Sequence, residues 1–178
     1  IYPKDRNDLI GVIRNILSNK KPFTMRAGGT SIGGQAIGSG VLVDVSKHLN
    51  NIIDFFEDRK EIIVEPGVIQ DDLNLFLQSY NLKFAPDTST SNRAMIGGMI
   101  GNNSCGSYSI FYGTTRDHVK SIEVILSDGS LVEFKELTEK ELNNKLSMQN
   151  LEGDIYRFFD DLLNDNQQVI LDAFPDES

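Results

Sequence analysis

Two glycine-rich runs hold the residues of this chain that are best suited to chemistry. The first, residues 26–34, reads Arg-Ala-Gly-Gly-Thr-Ser-Ile-Gly-Gly, and the second, residues 96–106, reads Ile-Gly-Gly-Met-Ile-Gly-Asn-Asn-Ser-Cys-Gly. Glycine admits positive φ and lets the main chain touch a ligand, and successive N–H groups in such turns converge on anionic oxygens. Thr30 and Ser31 add hydroxyl donors of the kind a buried pyrophosphate needs. Arg26 either adds charge or anchors its loop. Taken singly, each run also looks like a tight turn in a β-rich protein. Together they predict one large phosphate-bearing cofactor held between two loops.

The flanking elements set the geometry of these loops. Asp5 or Asn7 can cap a helix whose apolar residues Leu9, Ile10, Val12, Ile13, Ile16 and Leu17 recur at helical spacing, ending near Asn19. A short strand, Pro22–Met25, delivers the first loop, and Val41–Val45 is the next strand. This is a strand–loop–strand phosphate site, because the run after Gly28-Gly29 is too short and glycine-broken to be the helix of a dinucleotide fingerprint. Ile52–Phe56 and Glu61–Glu65 read as a hairpin closed by Pro66-Gly67, followed by a helix with Leu73, Leu75, Phe76, Leu77 and Tyr80 on its buried face. Pro86-Asp87-Thr88 lies in a loop, and Ala94–Ile100 begins a short helix. Asp128-Gly129 marks a hairpin between strands 119–127 and 131–134. From Thr138, where Thr-Glu-Lys-Glu141 matches a capping box, the pattern is helical, with a second amphipathic segment over Ile155–Leu163 and a polar tail from Asp172 to Ser178.

Composition bounds the partners. A chain of 178 residues, 39% hydrophobic and 24% charged, can bury a sizeable core as one or two units. The formal net charge of −9, with scattered Lys and Arg, argues against a nucleic-acid surface. One cysteine, Cys105, excludes an internal disulfide and a cysteine-based zinc cluster, which suits a reducing cytoplasmic setting; two histidines, His48 and His118, leave little for a metal, and none is expected. No run approaches the roughly 18 apolar residues of a transmembrane segment. The opening Ile1-Tyr-Pro-Lys-Asp, without an initiator methionine, predicts a processed chain or, as the favoured reading, an excised one.

Read in order, Arg26-Ala-Gly-Gly-Thr-Ser31 with Gly33-Gly34-Gln35, Pro86-Asp87-Thr88, Ile96-Gly-Gly-Met99 with Asn103-Ser-Cys-Gly106, and Tyr112-Gly-Thr-Thr-Arg-Asp-His118 resemble the FAD-binding domain of the FAD-linked oxidases. This PCMH-type family includes vanillyl-alcohol oxidase, D-lactate dehydrogenase, glycolate oxidase and D-2-hydroxyglutarate dehydrogenase. The match runs from about Tyr2 to Leu131. The resemblance implies an α+β domain of two lobes, a small β-rich lobe over 1–65 and a larger mixed-sheet lobe with flanking helices over 66–178, with FAD in the groove between them. By position, the pyrophosphate loop falls to Arg26, Ala27, Gly28, Gly29, Thr30 and Ser31, with Gln35 nearby; Gly97, Gly98, Asn103, Ser104 and Gly106 fall beneath the ribityl chain and the isoalloxazine edge. Pro86, Asp87 and Thr88 approach the flavin, and Tyr112 and Gly113 complete the set. Ala27 stands where the family commonly has glycine, which requires negative φ there.

No histidine lies in the first loop, so the resemblance implies non-covalent FAD. Cys105 is expected to be a small packing residue rather than a nucleophile or tether, and His118 a hydrogen-bonded structural histidine. Lys47-His48 is expected to face solvent, and Asp44 to cap a turn. The wording Asn102–Ser107 is closest to the branch acting on D-2-hydroxy acids, including large members fused to an iron–sulfur electron-acceptor module. The family's substrate cap domain, with its acid- and metal-binding histidines and a further Gly-Ser-Glu-Gly-Thr flavin contact, is not found in the sequence. The expectation is therefore a truncated FAD-binding portion of a longer FAD-dependent oxidoreductase, cytoplasmic or peripheral to the inner membrane face. That enzyme would oxidise a small hydroxy acid such as lactate, glycolate or 2-hydroxyglutarate by hydride transfer to flavin, with the fragment inactive alone and the catalytic residues unknown. Two other readings compete: a non-catalytic nucleotide-binding or interaction module keeping the fold, and an enzyme of unrelated chemistry on another phosphate ligand.

Overall fold

The computed structural model describes residues 1–173 and divides at 119/120 into two compact units. The lobe boundary expected at 65/66 falls inside the first of these. The polar tail expected beyond Ala173 lies outside the described residues, and Asp172 and Ala173 belong to a helix.

The first unit opens with helix α1 (Arg6–Ser18). Of the two capping candidates the chain uses Asp5, whose carboxylate accepts from the Asp8 N–H at 2.8 Å, while the Asp8 carboxylate accepts from the Lys4 N–H at 2.8 Å. Ile13 and Ile16 bury the inner face. Strands β1 (Phe23–Arg26) and β2 (Val41–Asp44) pair in parallel from Phe23↔Val41 to Arg26↔Asp44. A parallel pair cannot be closed by a tight turn, so the intervening segment, which contains the first glycine run, must cross over from one strand end to the other. Strands β3 (Ile52–Phe56) and β4 (Glu61–Val64) form the expected antiparallel hairpin, with a register shift between Ile52 and Asp54.

Helix α2 (Gln70–Gln78) places Gln70, Leu73 and Leu77 on one buried stripe. Leu75, expected inside, is 71% exposed, because it lies on the opposite side of the helix from that stripe. The core here joins Val68, Leu73, Leu77, Ala94, Ile96 and Met99, with Phe55, Phe76 and Phe84 packed against it. Phe55 meets Phe76 edge-on at 5.7 Å and Tyr80 at 4.4 Å, so the hairpin and α2 share an aromatic seam. Helix α3 (Ile96–Gly101), α4 (Ser109–Tyr112) and a 3-10 turn (Thr115–His118) finish this unit.

In the second unit, β5 (Ser121–Ile125) and β6 (Leu131–Lys135) make an antiparallel hairpin. Its turn is fixed by Gly129 at φ +81° and by Asp128, whose carboxylate accepts from the Ser130 N–H at 2.8 Å and its hydroxyl at 2.5 Å. The Ser130 hydroxyl and N–H bonds hold the Asp128 carboxyl below its usual range. Helix α5 (Glu139–Leu146) begins at the expected capping box, with the Thr138 N–H and hydroxyl donating to Glu141 at 2.8 and 2.7 Å. Helix α6 (Leu151–Asp165) is capped by Asn150, whose side chain accepts from the Gly153 N–H at 3.0 Å, and α7 (Gln167–Ala173) follows. Among the described residues the strands form three two-stranded ladders, and no helix is long and apolar enough to cross a membrane.

Candidate functional site

Arg26 is the last residue of β1 and anchors the first loop. Its Nε lies 3.8 Å from the Asp44 carboxylate, its partner across the parallel ladder, and the guanidinium sits beneath Gly29, where a Cβ would come within 2.8 Å of Nε. Asp44 is 8% exposed and also accepts from the Ser46 N–H at 2.9 Å and hydroxyl at 2.5 Å, so it caps a turn as expected while holding Arg26. Gly29 adopts φ +61°, in the left-handed region. Ala27 is not among the positive-φ residues, so its methyl group is tolerated. Among the described residues, the N–H groups of Gly28, Gly29, Thr30 and Ser31 donate to no backbone carbonyl, and the Ser31 hydroxyl meets only the Gly33 N–H, at 3.5 Å. Uncommitted N–H donors around a left-handed glycine are the kind of main-chain arrangement from which anion-binding nests are built.

Close approaches at several glycines bring the other predicted segments against this loop or against one another. A Cβ on Gly28 would overlap the Arg93 carbonyl oxygen, and one on Gly98 would lie 3.6 Å from the Ala27 methyl. Gln35 Nε2 donates to Asn102 Oδ1 at 3.2 Å, tying the far end of loop one to the C-terminus of α3. Gly97 lies against Pro66, where a Cβ would sit 2.5 Å from the proline Cβ, and its N–H donates to the Pro66 carbonyl at 2.9 Å. Gly106 lies against Asp87 so closely that a Cβ would fall inside the Asp87 carbonyl oxygen, and Tyr108 N–H donates to Asp87 Oδ1 at 3.3 Å. Pro86 is buried, its carbonyl accepting from Gln70 Nε2, and Thr88 Oγ1 donates to Gln70 Oε1 at 2.8 Å.

Asn103, at φ +45°, accepts from the Arg116 N–H at 2.9 Å, and the Ser104 carbonyl accepts from Thr115 N–H at 3.0 Å and Thr115 Oγ1 at 2.7 Å. Thr115 is fully buried, so the second loop is clamped to the 3-10 turn. Tyr112 and Gly113 shape that turn rather than touching loop one: Gly113 is at φ +74°, and the Tyr112 carbonyl lies 2.7 Å from His118 Nε2. His118, edge-on to Phe84 at 5.7 Å, has the structural role expected of it. Lys47 and His48 are exposed, as expected. Cys105 departs from expectation: it is exposed, because the second loop turns it outward while Ser104 and Gly106 face neighbouring main chain.

Sequence reasoning passed over Gln70, Asn102 and Asp117 as structural determinants of the site. Asp117 accepts from the Thr114 N–H at 2.6 Å and hydroxyl at 3.0 Å, and these bonds, the main-chain one first, hold its carboxyl below the usual range. A carboxyl lowered on folding contributes stability above its unfolded pKa that is lost as pH falls through the folded value. Asp117→Asn is therefore expected to lower the melting temperature by about 2 °C at pH 7, with the difference from the parent shrinking in scans taken below the ordinary carboxyl value of 3.8 and vanishing once the pH lies below the lowered folded value. A difference that persists at that acidity would place the effect elsewhere.

Known proteins share this architecture. The structure superposes on 6-hydroxy-D-nicotine oxidase from Arthrobacter nicotinovorans with a TM-score of 0.67 at 20% identity, over 79% of this chain and 31% of that one. The chain is 36% identical to D-2-hydroxyglutarate dehydrogenase of Escherichia coli over 98% of its own length and 18% of that protein's, and 33% identical to glycolate oxidase subunit GlcD of Bacillus subtilis over 74% and 28%. It thus spans under a third of the curated relatives it matches. Residues 1–135 match the model of the FAD binding domain. On that match, which contains both glycine loops and the 86–88 segment, the chain belongs to the family of FAD-binding domains of FAD-linked oxidases, and FAD is its cofactor.

Proposed function

We propose that this chain is the FAD-holding portion of a dehydrogenase that oxidises a D-2-hydroxy acid of the 2-hydroxyglutarate, lactate or glycolate type. The observation that carries this reading is the juxtaposition of an open run of N–H donors at Gly28–Ser31 with a second glycine loop, bridged by Gln35 and Asn102. In this reading Ala27–Ser31 take the pyrophosphate through main-chain N–H groups and the Thr30 and Ser31 hydroxyls, with Arg26 holding the loop from below. Gly97, Gly98, Asn103, Ser104 and Gly106 lie beneath the ribityl chain and ring edge, Pro86–Thr88 form an adjoining wall, and Tyr112 and Gly113 set the outer turn. The flavin supplies the hydride acceptor when bound, while the protein supplies position and electrostatics. Binding is non-covalent, since loop one offers no histidine. The hydroxy-acid class is supported by the relatives named above. Electrons would leave through a further acceptor such as an iron–sulfur module, and proton transfer belongs to residues outside this chain.

Titration of the purified chain with FAD, followed by flavin fluorescence and a parallel melting curve, tests the reading. Saturable binding and a raised melting temperature are expected, the rise corresponding to about 2.7 kcal/mol at a hundredfold excess over Kd. Gly29→Val should weaken binding by roughly tenfold or more, because a branched side chain at φ +61° meets Arg26 and displaces the loop. Unchanged affinity in that variant would count against the pyrophosphate assignment, and equal affinity for ADP would favour an unrelated phosphate ligand.

A further inference from the structure

Gln70 is 1% exposed and lies on the inward stripe of α2 with Leu73 and Leu77. An amide in such a place costs free energy unless both of its ends are bonded, whereas an apolar side chain would fill the stripe without that demand. Both ends are bonded, and to the same short segment: Nε2 donates to the Pro86 carbonyl and Oε1 accepts from Thr88 Oγ1 at 2.8 Å. The main chain of the same helical turn holds the stretch leading into α3, with Gln70 N–H donating to Ala94 O at 2.9 Å and Asp71 N–H to Ser91 O at 3.2 Å. The segment so fixed is in turn what the second glycine loop rests on, through Asp87 O against Gly106 and Asp87 Oδ1 accepting from Tyr108 N–H at 3.3 Å. The Thr88 hydroxyl proton is committed to Gln70, so the 86–88 segment meets a ligand with its main chain and shape rather than with a Thr88 donor.

We propose that Gln70 is a positioning residue for the cofactor site, setting the 86–88 segment and, through it, the second glycine loop from inside the core. The proposal rests on the FAD reading of those loops given above. Gln70 touches no ligand in this role. What it controls is how far Asp87 stands from α2, and therefore where the tight Asp87–Gly106 contact places residues 104–108. A core amide with only a packing role would leave that loop unaffected.

Two variants test this. Gln70→Met keeps length and volume but can neither donate to Pro86 nor accept strongly from Thr88; Thr88→Val removes one bond on a partly buried side chain and leaves the core intact. Each is measured by FAD fluorescence titration and, in the apo chain, by amide hydrogen exchange over segments 73–77 and 104–108. Gln70→Met is expected to weaken FAD binding by about tenfold and Thr88→Val by about threefold, both with faster exchange at 104–108 and retained protection at 73–77. Unchanged exchange at 104–108 in both variants overturns the role of Gln70, as does a loss of protection shared equally by 73–77. Failure of the unsubstituted chain to take FAD overturns the proposed function instead, and is read in a separate arm.

Discussion

Gly106→Ala is expected to destabilise the first unit by about 3 kcal/mol and to abolish tight FAD binding, although it adds a single methyl group. The added carbon would occupy the space of the Asp87 carbonyl oxygen and approach Asp87 Oδ1 to 2.5 Å. The first neighbour is main chain, and the second, a side-chain oxygen, is held by the Tyr108 N–H at 3.3 Å. The Asp87 main chain lies between Pro86 and Thr88, both held by Gln70, and Gly106 is held by reciprocal bonds to Ser109, its N–H donating to Ser109 Oγ at 2.9 Å and its carbonyl accepting from Ser109 N–H at 3.0 Å. Relief requires one of these two main-chain segments to move, at the upper end of the usual cost of overpacking. Gly11→Ala is the matched control: nothing lies within 4 Å of its would-be Cβ in the interior of α1, and helix propensity predicts a gain of up to about 1 kcal/mol. Thermal denaturation of the two variants, with FAD titration of each, separates the contact from the generic effect of replacing glycine. A Gly106→Ala chain that melts and binds like the parent would mean that the second loop does not rest on Asp87.

Local chemistry was legible in the sequence and long-range chemistry was not. The Thr138–Glu141 capping box and the Asp128-Gly129 turn are written within a few residues, and both appear where they were expected. Helix α4 was missed because Ile110 and Phe111, 92% and 82% exposed, give its single turn no apolar side by which periodicity could announce it. Arg26 stayed between two roles until the parallel register placed it opposite Asp44. Gln70 left a fainter signal, an amide at the position from which Leu73 and Leu77 continue a helical stripe. Such a residue reads as an interruption of the pattern when viewed along the chain, and its reason appears only when the 86–88 segment folds back onto it. The glycines of the two loops were visible by type, but which backbone each one admits, Arg93 for Gly28 and Asp87 for Gly106, is a property of the folded chain.

The second unit offers an independent effect. Glu152, 6% exposed in the first turn of α6, pairs with Lys145 in the last turn of α5, and Lys145 Nζ also lies 5.9 Å from the Tyr156 ring. Each charge sits at the helix end whose dipole favours it. The hydrogen bond to Glu152 raises the Lys145 pKa above its ordinary 10.5 against the opposing effect of burial. Glu152→Leu removes the carboxylate while leaving the ammonium partly buried, and is expected to cost about 1–2 kcal/mol, between the values for exposed and fully buried pairs, since the Lys145 side chain remains 26% exposed and part of its desolvation cost is relieved by water. The double variant Glu152→Leu, Lys145→Met should recover much of that loss by exchanging the pair for apolar packing. The sign with pH follows from the raised lysine: the stabilisation is complete below 10.5 and is lost as pH rises through the higher folded value, so the parent weakens in alkali by an amount the single variant does not. Thermal melts at pH 7 and above pH 10.5, followed by near-ultraviolet circular dichroism of the tyrosines, check both statements, and a Glu152→Leu chain as stable as its parent at pH 7 would show that the pair contributes nothing beyond its geometry.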